Sequence, residues 1–107
     1  MVIELLRFKV PPEMLEKYIQ LDTEIWTKAL AQYPGFLGKE VWTNPHNPQF
    51  VILVIHWAKK EDWKAVPQNE LDEIGRRFDQ ALGFSYEMVE SSEYQVRGSN
   101  TVSDCID

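Results

Sequence analysis

The chain has 107 residues, of which 44% are hydrophobic, 26% are charged and 12% are aromatic. This length suits one domain with its own hydrophobic core, and the composition excludes a wholly disordered chain. The formal net charge of −6 argues against nucleic acid and anionic membranes as partners, because both select basic surfaces.

The N-terminus and the single cysteine indicate a cytoplasmic protein without a metal site. Glu4 and Arg7 interrupt the apolar run that a secretory signal requires. The longest strongly apolar run, residues 50–55, is too short to span a bilayer. Cys105 has no second cysteine with which to form an internal disulfide or a Cys-based metal site, and His46 has no neighbouring ligand.

The first part of the chain predicts a strand, a long helix and a second strand. Residues 2–10 are rich in Val, Ile, Leu and Phe, which favours a strand. The Pro-Pro pair at 11–12 ends this strand and begins an amphipathic helix, whose apolar residues recur at helical spacing. The Pro-Gly pair at 34–35 ends the helix, and residues 36–43 form the second strand.

The remainder predicts two more strands and one more helix. A turn rich in Asn and Pro at 44–49 leads into a third strand over 50–58, whose apolar start indicates a central position. A second helix is predicted over 67–82 and a last strand over 84–96, and residues 97–107 form a polar tail.

The order β-α-β-β-α-β is typical of the ferredoxin-like α+β fold, with two helices on one face of an antiparallel sheet. The strands of that fold lie in the spatial order 4-1-3-2, so the first and third strands are central. We therefore expect one domain over residues 1–96, followed by the tail at 97–107, which Val102 and Ile106 would anchor on a partner subunit.

Alternation along the strands divides the sheet residues into two faces. The odd-numbered set is mostly aliphatic and is predicted to face the helices: Ile3, Leu5, Leu37, Val41, Val51, Leu53, Ile55 and Trp57. The even-numbered set is predicted to face away: Glu4, Leu6, Phe8, Phe36, Glu40, Trp42, Phe50, Ile52, Val54 and His56. A β-bulge in the hairpin would exchange the two faces of one strand relative to its neighbour. An apolar face of this size predicts a partner surface, and a second copy of the chain is the simplest partner.

Two stretches carry a family resemblance. The sequence PGFLG at 34–38, followed by a strand, a turn and FVILVIHWAKKEDW at 50–63, resembles the antibiotic-biosynthesis-monooxygenase-like domain. The resemblance covers about residues 1–96 and implies a homodimeric α+β barrel in which the helix-free face of each sheet lines a pocket.

The resemblance implies two kinds of activity. Some members are monooxygenases that oxidise aromatic polyketide-like compounds with O₂ and no cofactor, using Asn, Trp and Tyr side chains. Others degrade haem, with an Asn on the first strand, a Trp before the second helix and a His on that helix. Trp63 matches this Trp, but the first strand holds no Asn and residues 67–82 hold no His, which disfavours haem degradation.

His56 and Glu4 are the predicted catalytic pair. Antiparallel pairing of the central strands would bring the end of the third beside the start of the first, and a carboxylate next to an imidazole suits a general base. The alternative is a hydrogen-bonded histidine that only helps to define the barrel interior.

Four further residues are predicted to bind substrate: Glu40, Trp42, Tyr86 and Trp63. Glu40, which we do not expect to touch His56, would be a buried carboxylate, unless it pairs with a Lys or Arg at the barrel mouth. The aromatic side chains would stack on a ligand, unless they only fill an interface or cover the barrel end.

The resemblance, taken together with these candidate residues, thus implies a cofactor-independent monooxygenase of a small aromatic or hydrophobic substrate. A non-catalytic dimer that binds a small hydrophobic ligand, or a regulatory dimer, remains the alternative.

Overall fold

The computed structural model describes residues 1–100, and their strands and helices follow the predicted order. The strands are β1 (Val2–Lys9), β2 (Phe36–Thr43), β3 (Phe50–Trp57) and β4 (Glu87–Gln95). The helices are α1 (Leu15–Leu21), α2 (Lys28–Leu30), α3 (Lys60–Lys64) and α4 (Gln68–Leu82). A 3₁₀ turn (Pro12–Met14) precedes α1, and a π-helical segment (Asp22–Thr27) joins α1 to α2.

The four strands form one antiparallel sheet in the order β2-β3-β1-β4. This is the predicted order 4-1-3-2 viewed from the opposite edge, so the ferredoxin-like α+β fold is confirmed. The central strands are β1 and β3, as expected from the apolar character of residues 50–55.

The helices cover one face of the sheet and bury two groups of side chains. One core cluster centres on Phe8, Tyr18 and Phe78, whose rings meet edge to face or tilted, and the other centres on Ile55 and Trp57. Burial of such large apolar side chains is the main stabilising contribution in a domain of this size.

The residues at which α4 begins and ends, and at which the chain enters β2, follow from local chemistry. Pro67 precedes α4, and Gly83 ends it in the left-handed region at φ 79°. Gly35, at φ 86°, turns the chain into β2. A β-carbon at Gly35 would lie 2.3 Å from Cγ of Asp62, so the Pro-Gly pair that precedes β2 requires a glycine for space as well as for conformation.

The face predicted for β1 is wrong. In the observed register, Leu6 lies opposite Leu53 and Phe8 opposite Val51, and directly opposed residues share a face. The even-numbered residues of β1, including Glu4, therefore face the helices together with the odd-numbered residues of β3. Alternation within a strand does not fix its register with the next strand, and a shift of one residue exchanges the faces.

The faces predicted for β3, and for β2 from Gly38 onwards, are confirmed. Leu37, which was predicted to face the helices, is 57% exposed. Glu40 and Trp42 lie opposite Val54 and Ile52, on the face away from the helices. A register shift between Phe36 and Gly38 places Phe36 on the helix side, where its ring meets Trp57 at a centroid distance of 5.7 Å. We call the face without helices the open face.

The domain boundary after residue 96 stays a prediction. The backbone N–H of Val96 donates to the carbonyl oxygen of Met1, beside the edge strand β4. Val102, Ile106 and Cys105, and with them the predicted docking of the tail, lie outside the described residues. Within residues 1–100, none of the helices has the length and apolar character needed to cross a bilayer.

Candidate active site

A cavity of about 410 Å³ lies between the sheet and the helices. Leu6 and Trp26 contact both core clusters, and residues of both clusters line the cavity. The cavity is therefore the space that remains between the two clusters. The lining residues are mainly apolar: Leu6, Phe8, Tyr18, Trp26, Leu30, Leu53, Ile55, Trp57, Trp63, Val66, Leu71, Tyr86 and Met88, with Glu4 and Lys39 as the charged members. The expected pocket on the helix-free face is thus not where this cavity lies.

Glu4 supplies a carboxylate to this cavity. It projects from the central strand β1, and its Oε1 accepts a hydrogen bond of 3.2 Å from Nε1 of Trp57. Burial raises the pKa of Glu4 above the ordinary value, and this effect exceeds the opposing influence of the Trp57 hydrogen bond and the Lys64 charge. A carboxylate with a raised pKa in a largely apolar cavity is suited to accept a proton from a bound molecule.

Lys39 and Asp22 form a buried ion pair beside the cavity. The Lys39 side chain is 2% exposed and that of Asp22 is 0% exposed. Both carboxylate oxygens lie 2.7 Å from Nζ, but only Oδ1 is aligned to accept a hydrogen bond. Burial raises the pKa of Asp22 and lowers the pKa of Lys39. The charge of Lys39 opposes the rise for Asp22, and the charge of Asp22 opposes the fall for Lys39.

The sequence prediction named neither residue of this pair, although a signal was present. Asp22 follows Leu15 and Tyr18 at helical spacing, and Lys39 stands between Leu37 and Val41 on the face predicted to meet the helices. Opposite charges at two core-facing positions indicate a buried pair, because an isolated buried charge is strongly unfavourable.

Tyr86 and Trp63 both line the cavity, together with Glu4. The Tyr86 ring lies against Phe8 at a centroid distance of 5.6 Å, and its hydroxyl donates to Oδ1 of Asp79. Burial, followed by the hydrogen bond to Asp79, raises the pKa of Tyr86 above its ordinary value. Trp63 comes from the short helix α3, and Nζ of Lys64 lies 4.3 Å from the centre of its ring. Their predicted substrate-binding role is compatible with this position and stays a prediction.

His56, Glu40 and Trp42 form a separate group on the open face. Nε2 of His56 lies 3.4 Å from Oε2 of Glu40, although without the alignment of a hydrogen bond, and Nε1 of Trp42 donates to Oε1 of Glu40 over 2.8 Å.

The expected contact between His56 and Glu4 is wrong, because His56 lies opposite Ile3 and Glu4 lies opposite Ile55. The expectation that Glu40 would not touch His56 is also wrong, since Glu40 lies diagonally across from it on the neighbouring strand. The roles predicted for these residues stay predictions.

The cavity therefore combines a proton acceptor, a fixed cation and aromatic walls. These groups suit a flat, largely apolar molecule that carries an acidic hydrogen and a polar oxygen. In the part of the chain from 1 to 100, no three His, Cys, Asp or Glu side chains converge as a metal site would require.

Comparison with known proteins points to one family. The model of the family described as antibiotic biosynthesis monooxygenase matches residues 1–71. No curated protein matches the chain significantly.

Solved structures of similar fold cover almost the whole chain. The ActVA-Orf6 monooxygenase of Streptomyces coelicolor, solved in complex with nanaomycin D, superposes with a TM-score of 0.74 at 16% identity, over 95% of this chain and 92% of that chain. SnoaB, a cofactor-independent oxygenase from Streptomyces nogalater, has a TM-score of 0.62 at 16% identity, over 92% of this chain and 94% of that chain. A conserved protein from Methanosarcina mazei also has a TM-score of 0.62 at 16% identity, over 88% of this chain and 90% of that chain. At these identities the likeness shows the fold and leaves the activity open.

Proposed function

Because this chain belongs to the antibiotic biosynthesis monooxygenase family, we propose that it oxidises a small aromatic or otherwise hydrophobic substrate with O₂ and without a cofactor. The observation that carries this proposal is the cavity of about 410 Å³, in which the Glu4 carboxylate stands among aromatic and aliphatic side chains. The nanaomycin D complex of one relative and the cofactor-independent oxygenase activity named for another support the same class of reaction.

The reaction begins with proton transfer to Glu4. A substrate with an acidic CH₂ group beside aromatic rings gives one proton to the carboxylate and becomes a carbanion. The carbanion carries the electrons that reduce O₂, so a carbon–oxygen bond forms and a peroxide anion results. Glu4 returns its proton to give the hydroperoxide, which loses water. The CH₂ group thereby becomes a carbonyl, one oxygen atom of O₂ enters the product and the other leaves as water.

The other cavity residues orient the groups that react. The Trp57 indole N–H holds Oε1 of Glu4. Trp63 and Tyr86, which line the cavity, would lie against a flat ring system, and aromatic contacts of this kind depend on orientation. His56, which lies on the open face, is not required in this mechanism.

Oxygen uptake with 1,8-dihydroxyanthrone tests the proposed function. We expect the protein to consume O₂ faster than buffer does, with one O₂ used for each anthraquinone formed, and without added flavin or metal. The protein is incubated with excess chelator beforehand and followed with an oxygen electrode. Binding of the anthrone without accelerated O₂ uptake would instead identify a ligand-binding protein.

We further propose that two copies of the chain associate through their open faces. This face carries apolar side chains from both central strands, including Leu5, Phe50 and Ile52, and Trp42 of β2 is 48% exposed. An apolar sheet face without helices is a favourable surface for self-association, and two-fold homodimers are the commonest oligomers.

Ile52→Lys should separate the subunits. Ile52 lies on the central strand β3 on the open face, so the substitution would place two ammonium groups in the proposed interface. We expect sedimentation velocity to show a dimer for the wild type and a monomer for this variant at micromolar concentration. Gln20→Lys adds the same charge on the exposed side of α1 and should leave the dimer unchanged. A monomeric wild type, or a dimeric Ile52→Lys variant, would contradict the proposal.

A further inference from the structure

Lys39 retains donor capacity that the protein does not use. An ammonium group has three N–H donors, and among residues 1–100 the only hydrogen bond of Nζ goes to Asp22. Even if both carboxylate oxygens are counted, at least one N–H has no partner in this part of the chain. The side chain is 2% exposed and lines the cavity, so a molecule that enters the cavity could offer an acceptor to this N–H.

Asp22 holds this ammonium in place. Lys39 comes from the edge strand β2, where a long side chain would ordinarily extend its charged end into water. Asp22 approaches from the π-helical segment on the other side of the core and fixes Nζ at 2.7 Å. Single π-helical turns are rare within helices and occur frequently at functional sites.

Lys39 and Glu4 lie on the two strands that flank β3, and both are paired with Ile55. Both lie opposite Ile55 in the register of the sheet, Lys39 from β2 and Glu4 from β1. Since neighbouring strands are about 4.8 Å apart, the Cα atoms of Lys39 and Glu4 are about 10 Å apart. A fused ring system above Ile55 would therefore have a proton acceptor at one edge and a cation at the other.

We propose that the Lys39 ammonium binds the oxygen on which negative charge collects when Glu4 removes a proton from the substrate, and that Asp22 is the positioning residue for Lys39. This inference rests on the proposed oxygenase function and narrows its substrate class to aromatic compounds whose acidic C–H is conjugated to a carbonyl or phenolic oxygen. A fixed cation at the developing oxyanion stabilises the transition state, because the group needs no reorganisation when the charge appears.

The ionisation of a bound phenol tests this role independently of turnover. The probe is 2-hydroxyanthraquinone, whose phenolate absorbs at longer wavelength than its phenol. The protein used is Glu4→Gln, which removes the carboxyl group that lines the cavity. We expect the bound probe to ionise at a pH at least one unit below that of the free probe, which corresponds to about tenfold in favour of the phenolate. In Glu4→Gln/Asp22→Ala/Lys39→Met this shift should be lost, and in Glu4→Gln/Lys39→Arg it should be retained.

The outcomes separate this inference from the proposed function. Removing Lys39 together with Asp22 avoids an unpaired buried carboxylate, and circular dichroism verifies that the variants are folded. The inference is overturned if the probe does not bind, if bound and free probe ionise at the same pH, or if the shift survives without Lys39. Unchanged oxidation of 1,8-dihydroxyanthrone by Asp22→Ala/Lys39→Met would overturn it as well, while leaving the oxygenase proposal in place. A phenolate shift that depends on Lys39, without any O₂ uptake, would establish the anion site and refute the oxygenase.

Discussion

Glu4→Gln should lower kcat for 1,8-dihydroxyanthrone by about 10²- to 10⁴-fold, the usual contribution of a general base. The amide keeps the shape of the side chain and an oxygen that accepts from Trp57, so the cavity is preserved while the proton acceptor is lost. We expect KM to change little. Oxygen uptake under saturating substrate measures the loss.

Glu16→Gln is the matched control, because it makes the same chemical change on the exposed side of α1 and should retain full activity. The pH profile gives a second readout. Burial raises the pKa of Glu4, so wild-type turnover should fall as the pH drops below that raised value. If His56→Ala abolished turnover and Glu4→Gln did not, the chemistry would belong to the open face.

Stability provides a measure of Glu4 burial that does not depend on activity. Since the folded-state pKa exceeds the unfolded one, the folded protein holds its proton to higher pH than the unfolded chain. The free energy of unfolding of the wild type, relative to Glu4→Gln, should therefore fall as the pH rises from the ordinary range of a glutamate through the raised value. Urea unfolding of both proteins across this range detects the change.

Asp22→Ala should lower the free energy of unfolding by about 3–5 kcal/mol, because it leaves the Lys39 ammonium buried without its partner. The double variant Asp22→Ala/Lys39→Met should recover much of this loss, since it removes both charges from the core. Urea unfolding of the wild type, the two single variants and the double variant gives the coupling energy of the pair.

Glu93→Ala is the comparison for this cycle. It breaks the ion pair of Glu93 with Lys60, whose side chains are about half exposed, and such a pair contributes about 1 kcal/mol or less. If Asp22→Ala lowered the free energy of unfolding by as little as Glu93→Ala does, Lys39 would have found water or another partner in the absence of Asp22.

The elements of this fold were predictable because their signals are local. The Pro-Gly pair before β2, the apolar periodicity of α4 and the glycine that ends it each act within a few residues of the chain. The observed ends of the helices and strands differ little from the predicted ones. The family resemblance carried by residues 34–38 and 50–63 agrees with the family match over residues 1–71.

The candidate site was only partly predictable. Glu4, Trp63 and Tyr86 were named from the sequence and all line the cavity, while His56, Glu40 and Trp42 lie on the other face. Asp22 and Lys39 were missed, although each is a charged residue within an apolar pattern. Neither pattern shows that the two charged side chains come into contact.

The sequence by itself determined the element order β-α-β-β-α-β, with enough apolar side chains to cover both faces of a sheet. Only the tertiary structure decided which side chains share each face. Side chains of a strand alternate between the two faces of the sheet, so the alternation fits two registers of β1 against β3 equally well. In one register Glu4 lies on the same face as His56, and in the other it lies on the opposite face. The packing of Leu6 and Phe8 against the helices selects the register, and that register places Glu4 in the cavity together with Lys39.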